Sequence, residues 1–199
     1  MNKYVYVDEH SLSKEICDKI ISIYHEDDDN KRFGLTQKGY DEKYKRSMDF
    51  DLKAIKDKGI IKLLCNELNE AMKQYKIQID KNYEKMIYNH FQGKILKTTA
   101  FQLQHYTKNE GMFVYHTDNS INTSTNQERI LVYMWYLNDV DVGGETDFID
   151  FKIKPTTGKL VLFPSTWTYP HCANIPVSND KYIITGWFVN DIKTNRYEL

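Results

Sequence analysis

The chain has 199 residues, 41% of them hydrophobic and 28% charged, with a formal net charge of −1. That length and balance suit one globular domain with a sizeable core. Near-neutral charge supplies no whole-molecule field for nucleic acid or an anionic membrane, and no run of about 18 apolar residues marks a membrane span. The cysteines, Cys17, Cys65 and Cys172, are few and odd in number. They argue against a disulfide scaffold and for a reducing compartment. The N-terminus lacks the basic-then-apolar pattern of a signal peptide, so a cytoplasmic protein is expected.

Two helices come first. Ser11 or Ser13 can cap one in which Ile16, Ile20 and Ile23 recur at three- and four-residue spacing. A second fits residues 57–75, where Ile61, Leu64, Leu68, Met72 and Tyr75 make one apolar face. Between them, His25 to Lys45 is polar and reads as a long mobile loop that could move over a site. From about residue 85 the period becomes two. Phe101–Tyr106 alternates, Ile130–Leu137 is apolar throughout, and Lys159–Phe163 and Lys181–Val189 follow. Pro155, Gly158, Pro164, Pro170 and Pro176 punctuate these runs. The expected class is α+β, mainly β: a two-sheet jelly roll with N-terminal supporting helices. Residues 1–199 then form one domain, with a helical support region over 1–84 and a β-core over 85–199.

The chemistry centres on His116-Thr117-Asp118. On an extended chain residues i and i+2 share a face, so His116 and Asp118 can reach one ion together. His171, beside Pro170 and after an apolar strand, is the best third ligand. Two imidazoles and one carboxylate form the facial triad of non-haem Fe(II) oxygenases. They leave a dipositive ion at net +1 with three open positions. His-x-Asp alone is common, and a turn pair with a capped loop histidine is the simpler alternative. His10, His25, His90 and His105 read as structural or surface residues, with His105 opposite Tyr106 on its strand. Lys181 shares a strand face with Ile183, Thr185, Trp187 and Val189. Its side chain either snorkels to water or pairs with a buried carboxylate, and a ligand could bring that carboxylate.

Residues 101–189 resemble the prolyl 4-hydroxylase-like branch of the Fe(II)/2-oxoglutarate dioxygenases. The resemblance rests on Tyr106, His116-Thr117-Asp118, Tyr136-Leu137-Asn138-Asp139 and Gly143-Gly144-Glu145-Thr146. Pro155, Gly158, Leu162-Phe163-Pro164, His171, Lys181-Tyr182 and Trp187 complete it in the family's order. It implies a double-stranded β-helix with Fe(II) held by His116, Asp118 and His171. It also implies 2-oxoglutarate and O2 as co-substrates. Lys181 would pair with the C5 carboxylate of 2-oxoglutarate, Tyr106 would hydrogen-bond the same carboxylate, and Tyr136 would line that pocket. Thr146 could reach it too, although a turn or strand-start role suffices. Gly143-Gly144 fits a tight turn. Trp135, Trp167 and Trp187 read as core, with Trp187 able to wall the pocket. Arg129 reads as a solvated strand-edge residue, and Cys172 should point away from the metal.

The reaction so implied is hydroxylation of an unactivated C–H bond, with a prolyl residue of a protein or peptide as the leading substrate. Alternatives are hydroxylation of a free amino acid or other small molecule, or a non-catalytic jelly-roll module holding zinc. Superfamily members that demethylate nucleic acid use arginine where this chain has Lys181, so no nucleic-acid or membrane partner is expected. The polar segments 25–45 and 119–128 spell out no substrate.

Overall fold

The computed structural model describes residues 2–36, 38–83 and 96–192. Strand β1 (Tyr6–Asp8) leads to helix α1 (Lys14–Glu26). Ser13 caps this helix, its Oγ accepting from the backbone N–H of Ile16. The face it buries is Cys17, Ile20 and Tyr24, while Ile16 and Ile23 pack at its margins. Ser11, the other candidate cap, instead accepts a hydrogen bond from the indole of Trp135 at 3.0 Å.

The segment after α1 is more ordered than its composition suggests. It carries β2 (Lys31–Phe33) and β3 (Lys45–Arg46), and β4 (Met48–Asp51) follows at once. The described residues of the N-terminal region therefore supply four strands as well as two α-helices. Helix α2 (Lys58–Tyr83) runs eight residues past the expected end. Its apolar stripe, Ile60, Leu64, Leu68, Ala71, Tyr75 and Ile79, stays in phase along that length.

The β-core comprises β5 (Lys97–Thr98), β6 (Gln102–Tyr106), β7 (Met112–His116), β8 (Ile121–Asn122) and β9 (Gln127–Tyr136). It continues through β10 (Thr146–Phe148), β11 (Lys152–Ile153), β12 (Leu160–Pro164), β13 (His171–Ala173) and β14 (Lys181–Asp191). One sheet runs β1-β12-β9-β14-β6-β4-β2, with β5 and β8 joined at the side. The second runs β11-β10-β13-β7-β3. Pairing is antiparallel throughout the described ladders, so the expected jelly-roll class holds.

Alternation along β14 divides the interior. Tyr182, Ile184 and Phe188 join the helices, Phe101, Leu103, Tyr133 and Trp135 in one apolar layer. Ile183 joins Tyr106, Val132, Met134, Tyr136, Phe148 and Phe163 in the layer between the sheets. Each fully buried Leu, Ile or Phe in these layers contributes about 1.5–3 kcal/mol. Glycine suits position 186 within β14, because a Cβ there would run into the ring and hydroxyl of Tyr133. Trp135 is core, as expected, but Trp167 is 78% exposed and corrects its assignment to the interior. It sits in the turn after β12, where no element covers it. His90 lies outside the described residues. No described helix is long and apolar enough to cross a membrane.

Candidate active site

The two sheets enclose a cavity of about 690 Å³ that reaches from β14 and β6 across to β7 and β13. His116 ends β7 and His171 begins β13, and these residues are directly paired in the five-stranded sheet. Two residues past His116, Asp118 swings onto the same side. One ligand atom from each of the three lies within 4.8 Å of the others. The His171 Nε2–Asp118 Oδ2 separation is 3.5 Å, and the two imidazole centroids are 4.4 Å apart.

Both rings are set for ligation by the backbone. Nδ1 of His116 donates to the Val114 carbonyl at 2.8 Å, and Nδ1 of His171 to the Tyr169 carbonyl at 3.1 Å. Those bonds fix the orientation of both rings and leave Nε2 as the remaining nitrogen of each. Burial, and then the neighbouring His171, push the His116 imidazole down to about 4, so it is neutral near pH 7. Phe113 stacks on His116, while Phe163 meets His171 edge-on. Two imidazoles and a carboxylate on one wall of a cavity are the donor set that suits Fe(II) with positions left open. Cys172 stands apart from this group, its Sγ donating to Asn174 Oδ1 at 3.4 Å.

Lys181 begins β14 and is 1% exposed. Its ammonium does not snorkel. It donates to the Gly144 carbonyl at 2.9 Å and sits 4.5 Å from the centroid of the Tyr106 ring. Gly143 and Gly144, both at positive φ (74° and 73°), make the turn that presents that carbonyl. Burial lowers the ammonium's pKa to about 7, opposed by the negative charge of Glu145. Among the described residues it has no ion-pair partner. A carboxylate entering the cavity fits this cation.

Tyr106 and Tyr136 take different positions from those the resemblance implies. Tyr106 lines the cavity, but its hydroxyl hydrogen goes to Gln104 Oε1 at 2.8 Å. What it offers Lys181 is its ring face. Tyr136 is fully buried behind the wall and donates to Thr146 Oγ1 at 2.6 Å. Thr146, first residue of β10, is the one that faces the cavity. With its oxygen accepting from Tyr136, its own hydrogen is directed only to a distant Met134 sulfur, 3.9 Å away.

Several cavity residues escaped the sequence reading. Arg129 is not a solvated edge residue. It lies on β9, in the interior of the larger sheet, and its guanidinium stacks 3.4 Å from the Trp187 ring centroid. No hydrogen bond or ion pair holds that guanidinium among the described residues, and Trp187 Nε1 is likewise buried without a partner. The second group is Lys45 and Asp49, a 3.0 Å ion pair with side chains 3% and 2% exposed. Ser47 and Gln102 also donate to Asp49. Alternation in Met48-Asp49-Phe50-Asp51 was the available signal for a strand there. Residues 32–44 supply Leu35, Thr36 and Tyr44 to the cavity mouth. Residues 119–128 supply none of the cavity wall and instead form the β8–β9 hairpin.

A jelly roll carrying two histidines, an aspartate and a buried lysine in one cavity is the layout of a non-haem Fe(II) oxygenase. Residues 101–189 match the family model described as the 2OG-Fe(II) oxygenase superfamily. Through this region the chain resembles that superfamily, and the match supports a 2-oxoglutarate-dependent dioxygenase that uses Fe(II), 2-oxoglutarate and O2. No curated protein sequence matches it significantly.

Solved structures with the same fold include a viral collagen prolyl hydroxylase from Paramecium bursaria Chlorella virus-1. That match has 19% identity, covers 95% of this chain and 97% of that one, and has a TM-score of 0.62. A Pseudomonas putida prolyl-4-hydroxylase gives 18% identity, coverage of 93% and 92%, and a TM-score of 0.64. A Trichoplax adhaerens prolyl hydroxylase, solved with a hypoxia inducible factor peptide fragment, gives 16% identity, coverage of 94% and 84%, and a TM-score of 0.72. At these identities the likeness is one of fold.

Proposed function

We propose that this protein hydroxylates a prolyl residue in a protein or peptide. His116, Asp118 and His171 hold Fe(II), and Lys181 holds the C5 carboxylate of 2-oxoglutarate. The observation that carries the assignment is a buried, ion-pair-free Lys181 ammonium in the same cavity as the His116–Asp118–His171 group.

Fe(II), when bound with 2-oxoglutarate and O2, couples oxidative decarboxylation of the co-substrate to hydroxylation of a C–H bond. The chain's own residues position and neutralise. Val114 and Tyr169 carbonyls hold the two imidazoles by Nδ1, which leaves Nε2 as the atom that would hold Fe(II). Asp118 would lower the charge of a bound Fe(II) to +1. Lys181 neutralises the incoming carboxylate, and the Gly144 carbonyl and Tyr106 ring keep its ammonium in place beforehand. Thr146, its oxygen occupied by Tyr136, is left as a hydroxyl donor to the same carboxylate. The apolar wall of Val132, Met134, Phe163 and Ile183 excludes water around these charges.

A peptide substrate is supported by the cavity mouth, where Leu35 and Tyr44 are 55% exposed at the edge of the opening. The prolyl hydroxylase neighbours, one with a bound peptide, support proline as the target. The test is succinate release with Fe(II) and 2-oxoglutarate, alongside a proline-containing peptide array read by mass spectrometry. Peptide-stimulated succinate with a gain of one oxygen on proline is expected. Hydroxylation of free amino acids with none on any peptide would transfer the assignment to small molecules.

A further inference from the structure

Beyond the lysine end of the cavity, the larger sheet presents a floor that neither the metal group nor the co-substrate lysine explains. Along β6 the residues facing inward are Tyr106, Gln104 and Gln102. They pair across to Lys181, Ile183 and Thr185 of β14. Each two-residue step advances about 7 Å, so Gln104 and Gln102 lie one and two steps beyond the Tyr106–Lys181 pair.

The hydrogen bonding of these glutamines is half complete. Gln104 is 6% exposed, and its Oε1 accepts from Tyr106 at 2.8 Å. Its Nε2 has no hydrogen bond among the described residues. Gln102 donates its Nε2 to Asp49 Oδ2 at 3.0 Å, an orientation fixed because the reverse would face oxygen with carboxylate. Its Oε1 then has no donor. Buried amide groups are ordinarily paired, because an unpaired one forfeits its hydration without return. Gln104 is more than nine-tenths buried as a residue, and its unpaired Nε2 is left open to the cavity it lines.

The polar groups of β3 and β4 beside these glutamines carry no net charge, while Arg129 of β9 adds a guanidinium elsewhere in the same cavity. Asp49 already receives Lys45, Ser47 and Gln102, and Lys45 is spent on Asp49. The Thr185 hydroxyl donates to the Tyr133 carbonyl at 3.2 Å. What remains is the Gln104 amide NH2 as donor and the Gln102 carbonyl oxygen as acceptor, on successive inward positions of a single strand face. A carboxylate would find the acceptor repulsive, and an ammonium the donor. An amide carries both complements.

We propose that Gln104 and Gln102 form an amide-recognising subsite. The C=O of a substrate amide accepts from Gln104 Nε2, and its N–H donates to Gln102 Oε1. This deepens the peptide reading above and rests on it. The subsite selects substrates with a free amide N–H beside the residue to be hydroxylated.

The test uses the whole protein, loaded anaerobically with Fe(II) and 2-oxoglutarate, and two probes, N-acetylprolinamide and N-acetylproline methyl ester. Binding is followed by ligand-observed NMR. The amide should bind about tenfold more tightly than the ester, as loss of one or two hydrogen bonds implies. In Gln104→Leu, and in Gln102→Leu with Gln104→Leu, the preference should fall below about twofold, while 2-oxoglutarate affinity stays unchanged. Equal binding of amide and ester by the unaltered protein, both for the proline pair and for N-acetylglycinamide against its methyl ester, overturns the proposal without reliance on any variant. A preference that survives both substitutions also overturns it. So does a Gln104→Leu protein that loses 2-oxoglutarate affinity instead, which would make Gln104 a co-substrate ligand. N-acetylglycinamide against its own methyl ester separates the two readings. An amide preference there, with none for the proline pair, would sink prolyl hydroxylation and leave the subsite standing.

Discussion

The phenyl ring of Phe113 lies face to face with the imidazole of His116, centroids 3.6 Å apart and planes 13° from parallel. Phe113 pairs in turn with Lys45 of β3, whose ammonium lies 5.3 Å from its ring centroid. The imidazole is thus held by a hydrogen bond at Nδ1 and a stacked wall on one face. Phe113→Leu keeps apolar bulk but removes the flat surface. Metal affinity should fall about tenfold, the lower end of what loss of a supporting contact to a ligand costs. Titration with Co(II), followed by its visible absorption, measures this. Unchanged affinity would mean that the ring serves packing alone.

Loss of a ligand should be more severe. Asp118→Ala removes the sole carboxylate of the triad and leaves the imidazoles to hold a dipositive ion. Succinate formation from 2-oxoglutarate should drop below detection, and His116→Ala should behave alike. Undiminished succinate release by the Asp118 variant would show that the ion is held elsewhere.

Lys181 makes pH a probe of the site. Burial lowers its pKa from the ordinary lysine value of 10.5 to about 7. Between those values the unfolded chain holds a proton that the folded apo-protein does not, so this lysine makes stability rise with pH across that window. Urea midpoints at pH 7 and 9.5 should show the rise in the unaltered protein, and Lys181→Met should lack this contribution. Binding reverses the proton balance, because a paired carboxylate favours the ammonium. At pH 8, 2-oxoglutarate should bind with uptake of up to about one proton, read by calorimetry in buffers of different ionisation enthalpy. Lys181→Met should bind the co-substrate far more weakly and without that uptake.

Lys45 and Asp49 meet where the chain passes from the smaller sheet to the larger one at Ser47. Truncating one partner leaves a charge in the cavity wall with its counter-charge gone. Lys45→Met alone should cost about 3–5 kcal/mol in urea unfolding, whereas Lys45→Met combined with Asp49→Leu should cost much less. Additive losses in the double variant would argue that each residue acts through separate contacts.

Much of the site was legible because it is local. His116 and Asp118 are two residues apart, and any extended chain turns such a pair to one side. The alternation of Lys181 to Phe188 foretold which side chains face the helices and which the cavity, since a strand's period is fixed by its backbone. Thr146, by contrast, reads as a strand start, and nothing in its neighbourhood shows that the Tyr136 hydroxyl will occupy its oxygen. Arg129 reads as an edge residue because its strand begins in polar company. Only the ladder, which sets β9 between β12 and β14, puts its guanidinium on Trp187.

The sequence by itself determined the two amphipathic helices, the buried strands, and the set of residues able to bind a dipositive ion and a diacid. These follow from periodicity and side-chain chemistry, which act over a few neighbouring residues. Tertiary structure alone decided that His171 pairs with His116 across a ladder, that Lys181 meets a glycine carbonyl and a tyrosine face, and that Lys45, Asp49 and two glutamines floor the cavity. Those contacts join residues distant in the chain through strand register. Register is selected by packing summed over both sheets, and no short window of sequence contains it.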